Sequence, residues 1–115
     1  MTPNSRACVA YTTACLSGNA ASSVYDYSQS RYINISGTIN QTTINIYDHD
    51  RNCYITGTSS SLYDYGNSAH IQLSLNGSQF TGYDYHTSSH FNGSINGRSV
   101  SIYDYETSTY YNYSI

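Results

Sequence analysis

The sequence predicts an all-β fold: an antiparallel meander of repeated hairpins of about twenty residues each. It gives about ten or eleven short strands in a curled sheet, a barrel or a sandwich. Three observations carry this. A triplet recurs as Tyr25-Asp26-Tyr27, Tyr47-Asp48-His49, Tyr63-Asp64-Tyr65, Tyr83-Asp84-Tyr85 and Tyr103-Asp104-Tyr105. Each time four residues separate it from a second ring, at Tyr32, Tyr54, His70, His90 and Tyr110. Pairing each second ring with the first Tyr of the next triplet centres two turns on Asn76-Gly77 and Asn96-Gly97. Asn-Gly is the strongest short hairpin signal, because a type I′ turn needs positive φ at both central residues. Finally, the hairpin arms differ only by even totals, and side chains alternate with period two, so every strand keeps its inner face inward.

Taken in order, residues 1–7 read as a polar lead-in containing Pro3, and 8–24 as a divergent first hairpin turning near Ser17-Gly18-Asn19. Arg6–Leu16 reads as its first strand, since LSGNAASSVYDY shares a layout with LNGSQFTGYDY; a short helix ended by Gly18 is the other option. Residues 25–115 are the hairpin repeats. Tyr105 facing Tyr110 centres a turn on Thr107-Ser108, and the remaining turns centre on Ile39-Asn40 and Thr58-Ser59. The whole chain is one domain. A β-solenoid is the rival for such a repeat length, but it stacks the triplet aspartates one strand spacing apart.

One face collects Val24, Ile33, Ile35, Ile44, Ile46, Ile55, Leu62, Ile71, Leu73, Leu75, Phe80, Phe91, Ile95, Val100, Ile102, Tyr111, Tyr113 and Ile115. Expected cross-strand pairs are Ile33 with Ile46, Ile35 with Ile44, Leu73 with Phe80, and Phe91 with Ile102. Asp26, Asp48, Asp64, Asp84 and Asp104 share this face at its turn end, where each carboxylate is expected to accept turn N–H groups. The other face carries the Tyr and His band among Ser, Thr, Asn and Gln, the alternation of a sheet with one covered and one wet side. The C-terminal strand, Tyr110–Ile115, reads as an uncapped edge open to pairing with another chain.

Composition limits function. Charged residues are 10% of the chain and the net charge is −3 with His neutral, which excludes a basic nucleic-acid footprint. No apolar run is long enough for a membrane helix, and the strands are too short for a transmembrane barrel. Cys8, Cys15 and Cys53 match no zinc spacing and read as structural, with one of the first two able to reach Cys53 if the sheet curls. His49, His70 and His90 read as equivalent repeat positions two strands apart, too far to share a metal; Asp48-His49-Asp50 is the one local acid–His cluster. No serine has a nucleophile-elbow context, so no catalytic residue, metal or cofactor is expected. Five Asn-x-Ser/Thr sequons occur, at Asn34, Asn40, Asn76, Asn92 and Asn112.

Two functions fit these features. The first is a non-enzymatic, self-associating structural protein at the cell surface or outside the cell, a filament subunit joined through strand edges or the aliphatic face. The second is a glycan-binding module. Aromatic rings with polar tips suit flat, hydroxylated ligands, which makes Tyr27, Tyr32, Tyr65, His70, Tyr85, His90, Tyr105 and Tyr110 the candidate binding residues.

The ending SVSIYDYETSTYYNYSI resembles small bacterial proteins built from repeated Tyr-Asp strands, a resemblance that covers residues 24–115 and implies no particular activity. The twenty-residue aromatic hairpins are also similar to the choline- and glucan-binding repeats of bacterial surface proteins. That similarity implies a surface-binding class only, because this chain lacks Trp and the Gly-Trp motif.

Overall fold

A computed structural model describes all 115 residues. The chain opens with helix α1 (Pro3–Leu16) and continues through β1 (Ser23–Asp26), β2 (Arg31–Ile39), β3 (Ile44–Asp48), β4 (Cys53–Thr58) and β5 (Ser61–Asp64). It ends with β6 (Ala69–Asn76), β7 (Gln79–Asp84), β8 (Ser89–Asn96), β9 (Ser99–Asp104) and β10 (Thr109–Ser114). Each strand pairs antiparallel with its neighbour in sequence, and β1 pairs with β10, so the meander is a closed ten-stranded barrel. Fifteen of the eighteen residues assigned to the apolar face are buried; Leu75, Tyr111 and Ile115 are half-buried beside them.

Closure overturns the expected edge. Tyr25 pairs with Ser114 and Asp26 with Tyr113, so the C-terminal strand has partners on both sides.

The first segment is a helix, not a strand, and the expected hairpin over 8–24 does not form. Thr2 caps it, its hydroxyl accepting from the Ser5 amide, and Pro3 stands in the first turn. Proline fits there because that N–H has no helical partner. Gly18 ends it at φ 104°, its amide donating to the Cys15 carbonyl. Ser5 to Ala14 are all buried, and the helix belongs to the same core as the inward residues of the strands. Apolar and small side chains all round a helix mark one enclosed on every side. A lone strand in a barrel lumen leaves its N–H and C=O groups unpaired, whereas a helix satisfies its own. α1 is therefore a plug.

Its small side chains (Ala7, Ala10, Ala14) leave room for Phe80 and Phe91, whose rings meet at 6.4 Å. These rings lie over glycines on the facing strands: Phe91 opposite Gly82, and Phe80 opposite Gly93. A methyl group on either glycine would overlap the facing Phe ring and the backbone carbonyl of Gln72 or Ser101.

The registers differ from expectation by two residues in most ladders and by four between β2 and β3, where Tyr47 faces Ser36 rather than Tyr32. Tyr103 faces Tyr110, and Asp104 pairs with Thr109, leaving a four-residue turn over 105–108. In the other direction Gln72 faces Tyr83 and Asn92 faces Tyr103, so the turns are Gly77-Ser78 and Gly97-Arg98 rather than Asn-Gly. Gly77 and Gly97 have φ near +60° while the residue after each does not, which makes these type II′ turns with glycine first. The other two turns likewise move to 40–43 and 59–60. The expected pairs become Ile39 with Ile44, Gly37 with Ile46, Leu75 with Phe80, and Gly93 with Ile102. An even shift leaves every side chain on its assigned face.

Each four-residue turn that follows a triplet aspartate ends on a left-handed residue: Ser30, Asn52, Ser68, Ser88 and Ser108, at φ 52–56°. Asn tolerates this conformation better than Ser. Ser108→Asn is expected to raise stability by about 0.5–1 kcal/mol; an unchanged or lower urea midpoint would contradict it.

The five triplet aspartates point inward at the mouth where these turns lie, all 0–1% exposed. Each Oδ1 accepts the backbone N–H two residues on, from Ser28, Asp50, Gly66, His86 and Glu106, at 2.9–3.0 Å. The second oxygens meet donors on the turns and on the plug. Asp26 accepts from Gln29 (2.7 Å), Asp64 from Ser5 (2.9 Å) and Asp104 from Arg6 (3.3 Å). Arg51 bridges Asp48 at 2.6 Å and Asp64 at 3.1 Å. The repeat thus builds a ring of carboxylates, and the helix supplies several of its donors.

Candidate functional site: a Tyr and His wall

On the outside, the rings group into five trios. Tyr25, Tyr47, Tyr63, Tyr83 and Tyr103 each hold two flanking rings edge-on, with centroids 4.7–4.9 Å apart and planes at 63–79°. The flanking rings are the residue after the aspartate and the one across the strand. Edge-to-face pairs at this spacing stabilise a sheet, so the central Tyr of each trio has an architectural job. The flanking tyrosines (Tyr27, Tyr32, Tyr54, Tyr65, Tyr85, Tyr105 and Tyr110) remain 52–67% exposed. His49 does not occupy the same place as His70 and His90: it follows Asp48, where Tyr85 follows Asp84, while the other two stand across the strand.

Three depressions bring part of this band together, all on the wall from β5 to β10. The largest, about 650 Å³, is lined by Gln72, Thr81, Tyr83, His90, Asn92 and Tyr105 among others. A second, about 390 Å³, is lined by Thr81, Asn92, Ser94, Ser101 and Tyr110. A third, about 210 Å³, lies between Ser61, His70, Gln72 and Tyr85. They exist because short outward side chains (Ser74, Thr81, Ser94, Ser101) alternate with the large rings at the rim. Their sizes fall around the small-molecule range. Asn92 Nδ2 donates to the Tyr105 hydroxyl at 3.0 Å and fixes that ring's orientation. On the opposite wall Ser36 Oγ and His49 Nε2 are 2.8 Å apart in the equivalent contact.

Of the candidate binding residues, Tyr85, Tyr105, Tyr110, His70 and His90 line these depressions. Tyr27, Tyr32 and Tyr65 are exposed but line none of the three. Gln72, Thr81 and Asn92 line the depressions but are not among the candidate residues read from the sequence. Their signal is positional: Gln72 stands two after His70, as Asn92 stands two after His90, on the same outward face.

The cysteines are free thiols, with Cys8 inside the barrel and Cys15 and Cys53 half-buried. Burial pushes the Cys8 thiol well above its ordinary pKa, which makes it a poor nucleophile. Burial, with Cys15 beside it, lifts the Tyr11 phenol to about 12, and its hydroxyl donates to the Ala21 carbonyl at 2.6 Å. The folded state thus favours the neutral phenol. That stabilisation is complete below the unfolded value near 10 and fades as pH rises towards 12, a loss of roughly 1–3 kcal/mol. Urea unfolding at pH 9 and 11.5 should show a smaller drop in Tyr11→Phe than in the parent chain; equal drops would contradict the assignment. Compared with family models, curated proteins and solved structures, the chain matches none.

Proposed function

We propose that this protein is a non-enzymatic carbohydrate-binding module, acting outside the cell or at its surface, whose ligand wall spans β5 to β10. The observation that supports this is the set of three depressions where exposed Tyr or His rings meet amide and hydroxyl side chains. A sugar ring presents one apolar C–H face and a rim of hydroxyls. The tyrosine faces can stack on the former, and Gln72, Asn92, Thr81 and the imidazoles of His70 and His90 can bond the latter. The depressions are shallow, so each supplies affinity on the order of 1 mM.

The self-associating structural reading, the first of the two drawn from the sequence, loses both routes that motivated it, because the edges are paired and the aliphatic face is inside. What remains to it is contact through the exposed tyrosines.

The triple variant Tyr85→Ser/Tyr105→Ser/Tyr110→Ser is expected to lose glycan binding on an array of immobilised sugars while staying folded. Each removed ring pair costs only about 0.2–1 kcal/mol. Tyr27→Ser/Tyr32→Ser, on the opposite wall, should bind as the parent does. Equal binding by the triple variant would sink the proposal.

A further inference from the structure

We infer that a single barrel carries three separate sites for the ends of glycan chains and cross-links them as a monomer. This rests on the carbohydrate reading above and goes beyond it by assigning valency and substrate class: terminal sugars of branched or clustered glycans, not the run of a linear chain.

Ten strands closing on themselves turn the wall through about 36° per strand. The depression at His70 and Tyr85 centres on β6, the one at His90 and Tyr105 on β7, and the one at Tyr110 on β8. The outer two are thus about two strands apart and face directions about 70° apart. The wall between them is convex. A stiff, extended polysaccharide touches such a wall at one place and departs from it on either side, so it cannot fill all three. Chain ends have no such constraint. Each can approach along its own direction, and the exposed ring in each depression offers a face for one terminal sugar.

The three also share no obligatory ring. Tyr85, Tyr105 and Tyr110 each line one depression only, whereas Gln72, Thr81 and Asn92 lie between neighbours. Occupying one site therefore leaves the aromatic platform of the others free. Sites that point apart on one rigid body bind different ligand molecules, which is how one monomer joins two polymers. Linked weak sites also gain avidity without new contacts, by about 10²-fold or more where two engage the same display.

The test uses the full chain with polyacrylamide carrying pendant glucose, galactose, mannose or N-acetylglucosamine, and the matching free methyl glycosides. On at least one polymer the protein should produce turbidity that excess methyl glycoside reverses. In amide and imidazole NMR spectra that glycoside should perturb three clusters, around His70, His90 and Tyr110. Tyr85→Ser, Tyr105→Ser and Tyr110→Ser should each remove one cluster and leave the other two, and any two together should abolish turbidity while one cluster still titrates. Soluble binding with one perturbed cluster, or a preference for linear hexasaccharides over pendant sugars, would overturn the cross-linking inference and leave the carbohydrate module standing. No binding of any sugar would overturn both.

Discussion

Arg51→Met is expected to lower the stability of the barrel by about 3–5 kcal/mol. Arg51 is the one side chain that spans two members of the carboxylate ring, its Nε on Asp48 at 2.6 Å and an Nη on Asp64 at 3.1 Å. Burial works against its charge, and the two carboxylates outweigh that, holding the guanidinium well above the ordinary arginine pKa. Methionine fills similar space but leaves two buried carboxylates without their cation, and an uncompensated buried charge costs far more than the ion pair itself contributes. Adding Asp48→Asn and Asp64→Asn to Arg51→Met should therefore recover part of the loss. The measurement is chemical unfolding of the three proteins at pH 7. A loss under about 1 kcal/mol for the single variant would place Arg51 among ordinary surface pairs.

Ala10→Pro is expected to cost at least about 3 kcal/mol and, in a domain this small, to leave little folded protein. Proline at position 10 removes a hydrogen bond from the middle of α1 and drives its ring into the Arg6 carbonyl. A surface helix escapes by kinking. Here Ala7 to Ala14 are enclosed by the barrel, and no side is free to bend towards. Loss of the β-sheet circular dichroism signal and of cooperative melting would report the result. A variant that melts within a few degrees of the parent would mean that residues 3–16 do not fill the lumen.

The contrast between these two sites shows what was legible in the sequence. The Tyr-Asp-Tyr spacing marks the hairpins, and the period-two alternation of side chains places Ile33, Ile55, Leu62, Ile102 and the five aspartates on the inner face, where they are. The register shifts of two beside the four-residue turns that follow the triplets come from the aspartates. By capturing the N–H two residues on, each opens the turn straight after itself, so Tyr105 leaves the ladder and Tyr103 faces Tyr110 instead. The type II′ turns at Gly77 and Gly97 move their ladders by the same amount the other way, so the repeat length hides both displacements.

The helix was harder to read. Its polar–apolar pattern has no period because no side of it faces water, and a shared layout with LNGSQFTGYDY suggested a strand. Thr2-Pro3 at the start and Gly18 at the end were the signals available. The depressions are a property of the closed wall: they depend on which short outward residues on β6 to β9 become neighbours, and that follows only once the registers are set.

Everything said of the outer wall depends on the sheet closing over its own aliphatic face around α1. The direct test is the molar mass of the purified chain by light scattering across a wide range of concentrations. A closed barrel predicts a single species at 12.8 kDa throughout. Polymers that lengthen with concentration would mean an open edge or an exposed apolar face, and would return the tyrosine band to the role of scaffold in a self-assembling protein.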